Sequence, residues 1–155
     1  GVRLHVVAPE RVSDLLAAAT DGEWRERSRR YPGLARAGGA VVVTARVEDY
    51  LARYREPDKA DSGLGGDPDA WPVPYWYVDA AMALMALLLL VEEAGLAATI
   101  WGNFRHADRV LALADAHDEE LVATLLVGRP DGHDARSASL ERDVPTRADR
   151  VRRID

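Results

Sequence analysis

The chain contains no cysteine, which removes a disulfide framework, a thiolate nucleophile and any cysteine metal site. Lysine is almost as scarce. Lys59 is the sole one, so Schiff-base chemistry has no lysine at any other position. A basic excess is lacking too: 20 lysines and arginines face 26 aspartates and glutamates, for a net charge of −6 and a pI near 5.2. No cationic surplus therefore exists to neutralise the phosphates of nucleic acids or acidic membranes. The longest wholly apolar run, Ala80 to Val91, falls short of the roughly 20 residues a bilayer span needs. No signal peptide or lipidation motif is found, and the expectation is a cytoplasmic protein without nucleic-acid or membrane partners. Internal repeats, a Walker-type phosphate loop, a Gly-x-Ser-x-Gly elbow, an HExxH helix and a dinucleotide fingerprint are all missing. Hydrolases and metalloenzymes lose ground accordingly.

What is present is organised around the stretch from Tyr75 to His106. Alanine, methionine and leucine dominate Ala80 to Val91, with no β-branched residue before Val91, so helix propensity and all-round apolarity agree on a buried helix. Asp79 suits its N-terminus, where a carboxylate meets unpaired donors, and Gly95 suits the C′ position. These signals predict a helix over 78–94. The apolar, partly β-branched run Leu96 to Trp101 then reads as an extended segment that delivers Gly102-Asn103 to a second helix at about 105–114. A Gly-Asn pair between an extended segment and a helix is commonly a simple turn. It also exposes backbone N–H groups without side-chain obstruction, which suits an anion or the acceptor-rich edge of a planar ligand.

The remainder reads as one domain over 1–155, of a length that can bury a core yet could use a partner to cover so apolar a central helix. Residues 3–8 alternate as a strand before Pro9. Val12, Leu15, Leu16 and Ala19 then share one face of an amphipathic helix. The Arg-rich segment from Glu23 to Arg30 reads as a charged helix ended by Pro32-Gly33, and since it mixes both signs it is a solvated face rather than an anion site. Ala40 to Ala45 and Leu121 to Val127 are apolar runs consistent with buried strands, and a short helix or turn spans 48–54. Residues 56–74 form a loop rich in Pro, Gly and Asp. At its end Trp71, Tyr75, Trp76 and Tyr77 cluster, as walls of an aromatic pocket or as packing. His106 is placed for acid–base work but is a lone histidine at a helix start. The run from Asp115 to Glu120 lacks a second cluster that would make it a metal site. The fold class expected is α+β: a small mixed sheet flanked by helices around the long buried helix.

Several segments taken together, W-Y-V-D-A-A-M-A-L-M-A-L-L-L, E-A-G-L-A-A-T-I-W-G-N-F-R-H, T-L-L-V-G-R-P-D-G-H-D and S-A-S-L-E-R, resemble the FMN-dependent nitroreductase family over most of Trp71 to Arg153. The resemblance implies a nitroreductase-like fold and an interlocked homodimer built on the long helix. It also implies FMN as cofactor, NAD(P)H as reductant, and ping-pong transfer to nitroaromatic, quinone or similar electron-poor small-molecule acceptors. By the same resemblance Gly102 and Asn103 would face the flavin N5/O4 edge, with Trp101 and Phe104 packing beside them. Arg142 would approach the phosphate, with Arg147 as the alternative, and the Arg-rich tail would cross to the partner subunit. The flavin would carry the chemistry, so no catalytic side chain is assigned. The family's N-terminal Arg-rich and Asn/Gln-Pro segments have no match in these residues, which implies an incomplete flavin site in this chain. A flavin-free relative, or a carrier of flavin or another aromatic ligand without turnover, is the alternative.

Overall fold

A computed structural model describes residues 1–132 and Glu141. Four strands form one sheet in the order β1-β2-β4-β3: β1 Val2–Val7, β2 Gly39–Ala45, β3 Ala97–Trp101 and β4 Glu120–Gly128. Every pairing is antiparallel, so the sheet is not mixed. Strands with helices on both faces carry near-continuous apolar runs whatever their direction, and that is why Ala40 to Ala45 and Leu121 to Val127 did not reveal their sense. The extended segment after the long helix is itself β3, hydrogen-bonded along the outer edge of β4. One register shift falls between Val43 and Thr44, where Val43 faces Ala123 and Thr44 faces Leu121. Val122 is the extra residue of a bulge.

Alternation along β2 divides the core. Ala40 and Val42 face α1 (Val12–Ala19) and α6 (Ala107–Leu113). Val43 and Ala45 face α4 (Val47–Tyr54) and α5 (Tyr75–Glu93). Helix α1 buries Val12, Leu15, Leu16 and Ala19, as their spacing predicts. Two short helices, α2 (Gly22–Arg27) and α3 (Tyr31–Leu34), stand where the sequence suggested one charged helix.

Helix α5 departs from expectation twice. It starts at Tyr75 after Pro74, without a side-chain cap, and Asp79 lies inside it, accepting a 2.8 Å hydrogen bond from the Tyr50 hydroxyl. Nor is it buried all round: among its 19 residues Trp76, Ala80 and Leu84 are buried, while Met82, Met85, Leu89 and Leu90 are between 50% and 66% exposed. The reason is geometric. A helix laid on one face of a sheet is covered over one stripe, and the described residues supply no second layer outside it. By length and composition alone α5 could cross a bilayer, yet its buried stripe ties it to β2 and β4.

The helix ends as predicted. Gly95 follows the cap residue Ala94 with φ +72°, and no atom would lie within 4 Å of an added Cβ. The cost of Gly95→Ala is therefore conformational alone, about 1–2 kcal/mol for an L-residue in the left-handed region. Urea unfolding should show that loss, and an unchanged midpoint would contradict the cap.

Candidate functional site

At the end of β3 the chain turns through Gly102 and Asn103 into a 3₁₀ turn, Phe104–His106, and then α6. Gly102 is exposed and Asn103 buried. Both line a cleft of about 240 Å³ with Thr20, Asp21, Trp24 and His106, so the predicted loop meets the junction of α1 and α2. An aromatic contact holds the two parts together: Trp24 stacks on Trp101 with ring centroids 6.2 Å apart and meets Tyr31 edge-on. Beneath it Arg25 donates 3.0 Å hydrogen bonds to the carbonyl and the hydroxyl oxygens of Thr20.

Asn103 is fixed from the sheet. Thr124, opposite Trp101 in the β3–β4 ladder, donates from Oγ1 to Asn103 Oδ1 at 3.1 Å. The amide Nδ2 is buried without a hydrogen-bond partner among the described residues. Turning the amide over would exchange the two atoms and orphan the other, so one polar atom of Asn103 lacks a partner in either orientation. A buried unsatisfied polar group costs about 1–3 kcal/mol, and a ligand or water on this side would recover it.

Asp21 closes the cleft electrostatically. It accepts from His106 Nε2 at 2.9 Å and from Arg109 Nη2 at 3.3 Å. The His106 hydrogen bond chiefly, aided by the His106 and Arg109 charges against some desolvation, holds the Asp21 carboxyl below its ordinary range. His106 thus reaches the cleft but is engaged with Asp21. A carboxylate whose folded pKa is lowered stabilises the fold fully above about pH 4, and that stabilisation is lost as pH falls through the lowered value. Asp21→Asn should melt below the parent at neutral pH and converge with it in acid; a constant gap would mean that the pair is not responsible.

Of the other residues singled out in the sequence, Arg142 and Arg147 lie outside the described residues. Trp71 and Trp76 are buried, in edge contacts with Tyr50 and with each other. Within the arginine cluster Arg27 pairs with Glu23, as a solvated face does. From the Asp115 to Glu120 run, Glu119 accepts from His5 at 2.8 Å and from the Thr44 hydroxyl. No group of metal-ligating side chains occurs among the described residues. Sequence reading missed Thr20, Asp21 and Trp24 as cleft residues. The one available signal was Trp24, a lone aromatic in a charged helix.

No protein-family model matches this chain, and no curated protein matches it. Solved structures do. NfrA1 of B. megaterium superimposes with a TM-score of 0.60 at 20% identity, over 88% of this chain and 52% of its own. Nitroreductase CinD from Lactococcus lactis, in complex with nicotinic acid, gives 0.62 at 12% identity over 94% and 76%. An FMN-dependent nitroreductase from Clostridium difficile gives 0.57 at 14% over 92% and 70%. The chain spans between 52% and 65% of the length of NfrA1 and of two further structures, from Bacteroides thetaiotaomicron and Clostridium novyi. Helices packed on an antiparallel sheet superimpose on these structures over most of this chain: the chain has a nitroreductase-like fold.

Proposed function

We propose that the chain is the subunit of a cytoplasmic FMN-dependent oxidoreductase of the nitroreductase type. It would take electrons from NAD(P)H and pass them to a nitroaromatic, quinone or similar electron-poor acceptor. The observation that carries this reading is the Gly102–Asn103 turn. It places an exposed glycine and a half-satisfied buried amide at a cleft, directly after the long helix and β3 of a nitroreductase-like fold. The names of two similar structures support the cofactor and reductant, one being an FMN-dependent nitroreductase and one a putative NADH dehydrogenase/NAD(P)H nitroreductase.

Bound FMN would supply the redox chemistry. The chain's own part would be to bind, orient and exclude water. Gly102 would admit a ring edge close to the backbone, the unsatisfied Asn103 amide atom would recover a partner there, and Trp24 with Trp101 would shield the floor. Arg142, or Arg147 in its place, is proposed for the phosphate. At about 240 Å³ the cleft is below the roughly 300–1,000 Å³ usual for small-molecule sites. It therefore suits a ring edge rather than a whole flavin, and the second chain of a homodimer would have to supply the rest of the site.

The small cleft also favours a second reading, a flavin-free relative or a carrier without turnover. Absorbance of protein purified without added cofactor, repeated after incubation with FMN and followed by stopped-flow mixing with NADH and NADPH, separates the three. Bound flavin reduced by either nucleotide supports the enzyme. Flavin bound but not reduced leaves a carrier, and no binding leaves the flavin-free protein.

A further inference from the structure

The Gly102 cleft adjoins a second recess of about 290 Å³, lined by Asp21, Glu23, Trp24, Arg27 and Arg105. Asp21, Trp24 and Arg105 belong to both. Trp24 is half-buried, and its contacts with Trp101 and Tyr31 fix the ring where the two recesses meet.

The charges on these walls pair off with one left over. Asp21 has Arg109 as cationic partner at 3.3 Å, and Glu23 has Arg27 at 2.8 Å. Arg105 is exposed and forms no ion pair or hydrogen bond with a described residue. Two residues before it stands Asn103, 4% exposed and with one amide atom unsatisfied. An unmatched guanidinium, an aromatic ring and a buried polar atom thus border one groove.

Three classes of ligand fit badly. A cation meets Arg105 and finds both carboxylates already paired. An inorganic anion uses Arg105 and leaves Trp24 without a contact. A nucleotide lacks room, because about 290 Å³ is under the roughly 300–1,000 Å³ of ordinary small-molecule sites. A single-ring aromatic carboxylate meets every part: its ring packs against Trp24, and its carboxylate accepts from the planar guanidinium fork. Scale agrees as well. Two residues of backbone span at most about 7 Å, the order of length of one substituted ring, so a group on the far side of that ring reaches the Asn103 end of the groove.

We propose that this groove binds a single-ring aromatic carboxylate, held by Arg105 and Trp24 with its far substituent toward Gly102 and Asn103. Its role as electron acceptor rests on the flavin reading above; its binding does not.

The test uses the full chain, without and with added FMN, and the indole N–H signals of its four tryptophans, assigned with Trp24→Phe and Trp101→Phe. 4-Nitrobenzoate is the probe. 4-Nitrobenzamide, its neutral near-isostere, and inorganic phosphate are the controls at matched ionic strength. The acid should shift the Trp24 signal saturably, leave those of Trp71 and Trp76 in place, and resist displacement by equimolar phosphate. It should bind about three- to tenfold more tightly than the amide, as a solvent-exposed bidentate arginine–carboxylate pair allows. Arg105→Gln should erase that preference, and Arg105→Lys, which keeps the charge without the fork, should retain part of it. Since Arg105 is exposed, both variants should keep the parent's circular dichroism. No saturable shift of Trp24, equal affinity for acid and amide, displacement by phosphate, or a preference that survives in Arg105→Gln would overturn the proposal whether or not FMN binds. An Arg105-dependent preference in a chain that binds no FMN upholds the site and counts against the flavin reading instead.

Discussion

Sedimentation at micromolar concentration is expected to show a dimer, and Leu89→Glu is expected to convert it to a folded monomer. The reason lies in the two stripes of α5. Trp76, Ala80 and Leu84, spaced by four, face the sheet and are buried. Val78, Met82, Met85 and Leu89, spaced by four, three and four, are 36%, 66%, 50% and 57% exposed. Full burial of such a side chain is worth about 1.5–3 kcal/mol. Half-exposed residues gain roughly half of that, and two symmetric copies double it, so the stripe contributes about 6–12 kcal/mol in gross terms. Association costs an estimated 4–15 kcal/mol before ordering of side chains. The stripe alone thus brings a dimer near balance, and further exposed apolar groups, among them Tyr75, Leu90 and Ile100, would have to add to it. Against so narrow a margin, one glutamate per copy within the contact is decisive, because its charge would lose water on association without gaining a partner. Leu89 does not belong to the buried stripe, so the variant's circular dichroism should match the parent's. A wild-type chain that sediments as a stable monomer, or a Leu89→Glu chain that stays dimeric, rules the interface out.

The sequence was most legible where local pattern and burial coincide. Val12, Leu15, Leu16 and Ala19 form a helical face by spacing alone, and all four are buried. Gly95 announced the end of α5 because a left-handed residue there has few alternatives to glycine. The start of that helix was less legible. Asp79 looked like a cap, but its partner is Tyr50, on another helix, and such distant hydroxyls leave no trace in the local sequence. Sheet direction was hidden for a related reason: strand pairing is set by contacts as distant as Thr44 with Leu121. The apolarity of α5 was legible, and so was its need of further cover; which stripe would be left outward was not, since apolar residues fix what must be covered and not whether the same chain covers it. The candidate site was half legible. Gly102-Asn103 stood out at a strand-to-helix turn, whereas Thr20, Asp21 and Trp24 join it through packing of α1 against α6 and the stacking of Trp24 on Trp101.

Replacing Gly102 by valine is expected to abolish FMN binding while the fold survives, and of all substitutions in the chain it addresses the proposed flavin site most directly. Gly102 is exposed at the lip of the cleft, so a larger residue has solvent to occupy and the core does not have to yield. A flavin edge has no such freedom. It must come close to the backbone to use its N–H groups and the unsatisfied amide atom of Asn103, and a β-branched side chain, stiff about χ1, stands in that path. Loss of two neutral hydrogen bonds at about 0.5–1.5 kcal/mol each, together with one buried group left unsatisfied at about 1–3 kcal/mol, gives roughly 2–6 kcal/mol. That corresponds to about thirtyfold to beyond ten-thousandfold in affinity. Gly102→Ala should fall between parent and valine, because a single methyl group obstructs less and leaves χ1 out of the question. Fluorescence quenching of FMN titrated into parent, alanine and valine chains provides the series, with thermal unfolding as the control for folding. A folded Gly102→Val chain that keeps the parent's affinity would remove this loop from the flavin site, and equal affinity across all three would point to a flavin held elsewhere on the chain.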